Sequence, residues 1–307
     1  MGIPSQLIVN IFLAFSMYLL LALSFRVLYS TIKFLNITHA ISLTFGAYIT
    51  YLLSIQYGLS LWLSIPLSII VGIILMLAVN RWIYQPFLKR KVENWQMLIA
   101  SLGLYVVLQN IISMIWGDST LSFRTWEVKL GHEFMGAYIT DVQIITIVAS
   151  VLLLALTWLF LEKTNIGKQI KGVSSNPELS GILGIPKNKA ITWSFALGSG
   201  LAACAGILIA ADTDMTPTMG FNWLLYGVVA MIIGGMGKMR YLLLGALLLA
   251  TAQHLSAYYL DSKWMNATAY IILIIFLYFK RNCIQNFFIT IIIKTNIIKI
   301  NNSIVFH

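Results

Sequence analysis

Charge is scarce in this chain. Of its 307 residues, 10% are Asp, Glu, Lys or Arg, and 59% are hydrophobic. Soluble domains carry roughly 25% charged residues. With a mean hydropathy of +0.87, the chain has more apolar side chains than one water-soluble core can hide, so it reads as an integral membrane protein. Cysteine is almost missing. Cys204 lies within an apolar run and Cys283 just past the last one, and neither has a metal-site spacing such as CxxC. Acidic residues are absent from the centres of the apolar runs. The charges within about a turn of a membrane surface are Arg26, Asp141, Glu162, Asp212 and Lys280. Ion-coupled carriers usually place titratable groups near the midplane, and metal- or acid/base-dependent membrane enzymes need such groups too. Their absence argues against both classes.

What is present is a series of apolar runs. A spanning helix needs about 20 mainly apolar residues. Candidate spans lie near 6–25, 38–56, 60–80, 97–116, 140–161, 191–211, 223–236, 241–260 and 264–280, which bounds the count at eight to ten membrane helices. The first run is spanning length and has no basic segment before it, so it reads as a retained span rather than a signal peptide.

The net charge of +10 does not point to nucleic acid, because the basic residues cluster in short gaps between apolar runs. The gaps at 26–37, 81–96, 162–190 and 237–240 hold thirteen Lys and Arg, while the alternate gaps hold Arg124, Lys129 and Lys263. This alternation predicts nine spans, with the thirteen and the C-terminus on the cytoplasmic side.

Several short patterns carry more than one reading. In "GSGLAACAG", Gly198, Ala202 and Gly206 share one helix face and allow close helix packing. "IIGGMGKMR" (232–240) fails the phosphate-loop pattern, because position 232 is Ile and position 239 is Met. Its glycines read as a break between two helices. His39 and His254, in or near spans, are either hydrogen-bonding packers or pathway groups. Gln109 and Asn110, mid-span in "VVLQNII", must face protein or a cavity, as interhelical glue or as pathway lining.

The stretch "SSNPELSGILGIPK" (174–187) is a polar interruption on the predicted cytoplasmic side. Ser175, Asn176, Pro177 and Glu178 fit a capping box with Pro in the first turn. Gly184 is a natural C-terminal cap, and Pro186 stops continuation. The result is a helix of about two turns, with Leu179, Ile182 and Leu183 forming one small apolar face. It reads either as an interfacial helix on lipid headgroups or as a knob offered to a cytoplasmic partner.

The order of these pieces resembles the permease subunits of ATP-binding-cassette (ABC) importers for branched-chain amino acids, some relatives of which carry urea and amides. "FLNITHAISLTFGAY" (34–48) is similar to the family's Asn-Phe-Ala-His-Gly…Gly-Ala-Tyr stretch, keeping Asn36, His39, Gly46, Ala47 and Tyr48, with Ala40 in place of the usual Gly. "LIASLGLYVVLQN" (98–110), "GKQIKGVSSNPELSGILGI" (167–185), "FALGSGLAACAGIL" (195–208) and "VVAMIIGGMGKMRYLLLGALLLA" (228–250) follow in the family's order. The resemblance covers about residues 6–280. It implies that Ser175 through Gly184 form the helix that couples the permease to an ATPase. The segment 280–307 lacks the family's usual ending, and its apolar part, 283–293, is too short to span.

The combined expectation is an all-α polytopic membrane bundle with an ABC importer permease fold. A transmembrane permease domain spans 1–280, and an atypical tail without a transport role spans 281–307. The chain is expected to catalyse nothing and to bind no cofactor, with ATP and Mg held by partner subunits. The resemblance implies a second homologous permease, two cytoplasmic ATPase subunits and an extracytoplasmic solute-binding protein, in a bacterial inner membrane. The coupling helix is assigned to Ser175, Asn176, Pro177, Glu178, Leu179, Ile182, Leu183 and Gly184. The candidate path residues are Asn36, His39, Gln109 and Asn110. The cargo is expected to be a branched-chain amino acid. Alternatives are urea, amides or another small polar solute, or a stand-alone secondary transporter.

Overall fold

A computed structural model describes residues 5–90, 92–125, 131–134, 136–235 and 239–278. Lys91, Lys129, Lys238, Lys280, Cys283 and the tail 281–307 lie outside the described residues, as does the centre of the break at 236–238.

The described chain is an all-α bundle. Helix α1 spans Ser5–Ile32, and a 3₁₀ turn at Ile37–His39 leads into α2, Ala40–Tyr51, which ends in a π-helical turn, Leu52–Gln56. Helix α3, Leu61–Val79, runs through a second π turn, Asn80–Tyr84, into α4, Gln85–Lys89. Then come α5, Asn94–Trp116, α6, Asp141–Lys163, α7, Asn165–Ser175, and α8, Pro177–Ile182. The last described helices are α9, Lys187–Thr213, α10, Met219–Gly234, α11, Met239–Tyr259, and α12, Trp264–Tyr278. Six helices are long and apolar enough to cross a membrane, and α10 and α12 are shorter apolar helices. Inside lipid the helix satisfies every backbone group within one segment, so long apolar runs have little alternative.

Each expected span has a helical counterpart, but two ends move. Residue 26 was expected to begin a connection, yet α1 continues to Ile32, leaving Arg26 half-buried inside it. Residue 81 was also placed in a connection, yet the rod continues through the π turn to Lys89. Residues 26–32 hold nothing that stops a helix, and in 81–89 the one proline, Pro86, falls in the first turn after the π turn, where a missing N–H is tolerated. A basic side chain near a helix end can reach out along its own stem.

Helices α1 and α9 form the centre. About 61% of the apolar window of α1 and 72% of that of α9 is buried, against 17% for α5 and for α6. Helix α1 packs against α6, α9, α10 and α11, and α9 packs against α2 and α3. The small-residue face of α9 makes these crossings possible. A Cβ on Gly206 would stand 2.1 Å from the Leu43 carbonyl oxygen, and Ala202 between the two glycines is fully buried.

At the less basic end, β1, His132–Phe134, pairs antiparallel with β2, Ala137–Ile139. Nearby, Leu121 and Met215 exchange both backbone hydrogen bonds, at 3.0 and 2.9 Å. Arg124 reaches Asp214 in an ion pair across the same bridge. Thr140 caps α6 by accepting from the Gln143 amide.

Candidate functional site

The polar interruption folds as two helices. Helix α7 lies against α6, α9 and α8, and buries Ile170 and Val173 with Ala190 of α9. It ends at Ser175. The sequence pattern made Ser175 the cap of the next helix, but the side chain that caps it is Asn176, whose Oδ1 accepts from the Glu178 and Leu179 amides at 3.0 Å each. Asn176 holds extended backbone, whereas Ser175 still belongs to the preceding helix. Pro177 takes the first helical position, where a missing N–H costs nothing. Gly184 adopts φ +77°, and the Ile185 amide closes the turn on the Ser180 carbonyl at 2.9 Å.

Only Ser180 of α8 is buried, facing Gly172 of α7. Leu179, Ile182 and Leu183 are 51%, 82% and 69% exposed. A capped, two-turn helix thus holds three apolar side chains outward at the basic end of the bundle. The neighbouring Lys168, Lys187 and Lys189 are exposed, and Lys171 pairs with Glu162.

The four candidate path residues fall into two groups. Asn36 and His39 stand at the break between α1 and α2 and are fully enclosed. His39 Nε2 lies 2.6 Å from the Ser24 hydroxyl, which donates to the Gly198 carbonyl at 3.2 Å. A hydroxyl has one proton. With that proton on Gly198, the Ser24 oxygen accepts from His39 Nε2–H. The His39 ring also meets Phe25 edge-on, at 5.9 Å between centroids. His39 therefore ties α1, α2 and α9 together where Gly198 leaves space.

Asn36 meets a residue that the sequence did not single out. The Tyr84 hydroxyl lies 2.8 Å from Asn36 Oδ1 and 2.7 Å from Thr38 Oγ1. Thr38 donates its own proton to the Ser101 carbonyl at 2.7 Å, so Thr38 must accept from Tyr84. Asn36 then satisfies Tyr84 when its amide is turned so that Nδ2 donates to the Tyr84 oxygen. The resulting chain runs from Asn36 to Tyr84, to Thr38, to Ser101. The Ile37 amide adds a bond to Ser101 Oγ at 3.1 Å.

Gln109 and Asn110 lie elsewhere, on α5. Gln109 is half-buried and donates to Ser113 at 3.2 Å, and Asn110 donates to the Val106 carbonyl at 2.7 Å. Both use donors within their own helix. Asn110 shares an exposed stripe with Gly103, Val106, Val107 and Met114. The exposed face of α6, by contrast, is apolar from Ile144 to Leu159. Among the described residues, no group of three or more His, Cys, Asp or Glu could hold a metal ion. His254 is half-buried on α11.

Comparison with known proteins gives the family of the chain. The family profile described as "Branched-chain amino acid transport system / permease component" matches residues 7–279. The high-affinity branched-chain amino acid transport system permease protein LivH of Salmonella typhimurium is 26% identical over 275 residues, covering 85% of this chain and 89% of that protein. The corresponding permease protein BraD of Pseudomonas aeruginosa is 26% identical over 291 residues, covering 90% and 93%. A solved structure, PsaBC from Streptococcus pneumoniae in complex with Fab, aligns at TM-score 0.48 and 12% identity over 88% of this chain and 91% of that one. With the profile matching nearly all of the described helices, this chain belongs to the family of branched-chain amino acid transport system permease components.

Proposed function

We propose that this chain is the membrane subunit of an ABC importer that carries a branched-chain amino acid into a bacterial cell. The observation that carries the mechanism is the exposed apolar knob of α8, built on a capped helix at the basic end. Leu179, Ile182 and Leu183 are the apolar contact with a cytoplasmic ATPase, one of a pair. Asn176, Pro177 and Gly184 give the knob its shape, Ser175 ends the helix before it, and Glu178 stands exposed beside the apolar contact. The basic end, and with it the C-terminus, faces the cytoplasm, following the distribution of Lys and Arg.

The exposed stripe of α5 supports the position of the second, homologous permease. A lone Asn on an otherwise apolar face is costly in lipid. Covered by a partner permease, Gln109 and Asn110 instead line or border the path for a small polar solute. Asn36 and His39 act from behind this surface, by holding α1, α2 and α5 in register. A solute-binding protein delivers cargo at the opposite end. ATP and Mg belong to the ATPase subunits, and this chain supplies no catalytic group. The domain limits follow, with transport confined to residues 1–280.

Leu183→Asp or Glu178→Arg tests the docking surface. Each variant should stay in the membrane with its second permease while ATP-dependent leucine uptake by the assembled complex falls at least about tenfold, since a desolvated charge at an interface centre costs a few kcal/mol. Normal uptake by either variant removes that residue from the dock. Uptake of urea or amides in place of leucine would redirect the cargo assignment. ATP-independent uptake by the purified chain alone would replace the importer with a secondary transporter.

A further inference from the structure

Two sets of contacts start beside the exposed helix α8 and meet at one place. The first runs through Lys33. Its ammonium donates to the Ser174 carbonyl at 2.6 Å, two residues before the Asn176 cap. Lys33 stands in the break between α1 and α2, with φ +60°, three residues before Asn36.

The second set runs through α9, which begins at Lys187, five residues after α8 ends. On the first turns of α9, the Thr192 hydroxyl donates to the Asn188 carbonyl at 2.8 Å. It accepts from Gln85 Nε2 at 3.2 Å and Asn80 Nδ2 at 3.4 Å. Asn80 and Gln85 bracket the π turn, in which the Gln85 amide bonds back to the Asn80 carbonyl. Tyr84, on the same turn, brings its hydroxyl to Asn36 and Thr38.

Both sets therefore converge on the break at 33–38. From there the only polar partner on α5 among these contacts is Ser101, bonded by both Ile37 and Thr38. Ser101 precedes Gln109 by eight residues, about 12 Å along the same helix. Asn36, Thr38, Tyr84 and Ser101 are each fully buried, so separating them strands polar groups away from water. Parts joined in this way move together.

We propose that Tyr84 is the positioning residue that carries movement of α8 to α5, through the break at Lys33–Thr38. The inference rests on the reading of α8 as the ATPase dock. The π turn supplies the switching element. Its hydrogen bond, from the Gln85 amide to the Asn80 carbonyl, encloses one residue more than an α-helical turn, and such turns recur at functional sites. Returning it to α geometry shifts the register beyond it by one residue, turning Tyr84 relative to Asn80. A coupling route needs an element of this kind with two discrete arrangements. The Tyr84 ring is held between Phe34 and Phe195, at 5.5 and 5.7 Å between centroids. Phe at this position keeps that packing and loses only the hydroxyl.

The test reads movement directly and needs no knowledge of the cargo. Asn110→Cys is introduced with Cys204→Ala and Cys283→Ala, and the chain is assembled with its second permease and ATPases. Maleimide labelling of the new thiol is timed with and without ATP and vanadate. Nucleotide should change the rate by about threefold or more with Tyr84 in place, within the range that residues on a coupling route exert. Tyr84→Phe should leave the nucleotide-free rate unchanged and reduce the nucleotide effect to less than about half. Lys33→Met, an exposed change, should reduce it in the same direction and carries the test should Tyr84→Phe fail to assemble. An undiminished nucleotide effect in Tyr84→Phe, or no nucleotide effect with Tyr84 in place, overturns the inference. Leu183→Asp separates the two readings. Loss of the nucleotide effect there upholds the dock, whatever Tyr84→Phe does, and its survival there overturns the dock and this route with it.

Discussion

Asn176 decides where α8 begins, and its neighbour Ser175 does not. The two were hard to separate in the sequence, because Ser at the first position and Glu at the fourth fit a capping box, while Asn before Pro fits a simple cap equally well. The backbone decides: α7 holds on to Ser175 through its last turn, so the first extended residue is Asn176. Asn176→Ala should cost α8 about 1 kcal/mol. Hydrogen exchange at the Glu178 and Leu179 amides would then speed up about fivefold at that cost. Ser175→Ala should leave both amides as they are. Equal effects of the two substitutions would show that the cap is shared or absent. Asp214, at the opposite end of the bundle, allows a pH test. The Ser122 hydroxyl, with the Arg124 guanidinium beside it, holds the Asp214 carboxyl below the usual carboxylate range. A carboxyl lowered by folding contributes fully above its free value of about 3.9 and is lost as pH falls through the lower folded value. The side chains are 23% and 29% exposed, so the contribution is about 0.2–1 kcal/mol. Protection of the Leu121 and Met215 amides, as the ratio of intrinsic to observed exchange rate at each pH, should hold from neutral pH down to about pH 4 and fall below it. In Asp214→Asn it should be lower at neutral pH and lack the acid step. An acid step that persists in Asp214→Asn would assign it to another carboxyl.

At the scale of elements, the legible features are those written in composition and punctuation. The long apolar runs, the Asn-Pro start and Gly184 before Pro186 locate the helices and bracket α8, because each forces a local backbone choice whatever surrounds it. The π turns at Leu52–Gln56 and Asn80–Tyr84 are different. "NRWIYQP" reads as the polar end of a span. Pro86 is the local mark, because it cannot donate to the α-helical acceptor one turn back. The pattern does not say that an extra residue is held there, since the partners of the turn are distant: Thr192 on one side, Asn36 and Thr38 on the other. The same holds for Ser101 and Ser24, which look like unremarkable small residues in apolar helices until their partners arrive from other elements. Asn36 and His39 could be picked out because polar groups inside a membrane always require an explanation. The explanation could not be read from them, because both are enclosed by other elements of this chain, while Gln109 is half-buried and Asn110 exposed on α5. The docking reading thus belongs to α8 as a unit. Its cap and its C-terminal glycine set its shape, and its three exposed apolar residues are the proposed contact.

The whole molecule is held by close crossings, and which small residues make them was only partly legible. "GSGLAACAG" announces a packing face. It does not say which glycines elsewhere are packed and which are uncovered. Gly206 ends that face on α9, whereas Gly103, also within a long apolar helix, α5, carries no such pattern, and the sequence does not say whether it is covered. Their surroundings are opposite. A Cβ on Gly206 meets backbone of Leu43 at 2.1 Å, and one on Gly103 meets nothing within 4 Å. Alanine is the better helix former by about 0.5–1 kcal/mol, so at an open site the substitution stabilises. At the crossing of α2 with α9 the contact is with a carbonyl that no rotamer change can move, and the helices must separate. Overpacking of this kind costs about 1–3 kcal/mol, occasionally more. Because α9 lies at the centre of the bundle, the separation also loosens its packing on α1 and α3. Gly206→Ala should therefore lower the thermal midpoint of the purified chain in detergent, and Gly103→Ala should leave it unchanged or raise it. The sign difference between two identical substitutions is the measurement. A lowered midpoint for Gly103→Ala would mean that α5 is covered by part of this chain, and its exposed stripe would then lose its place as the proposed surface for a second permease.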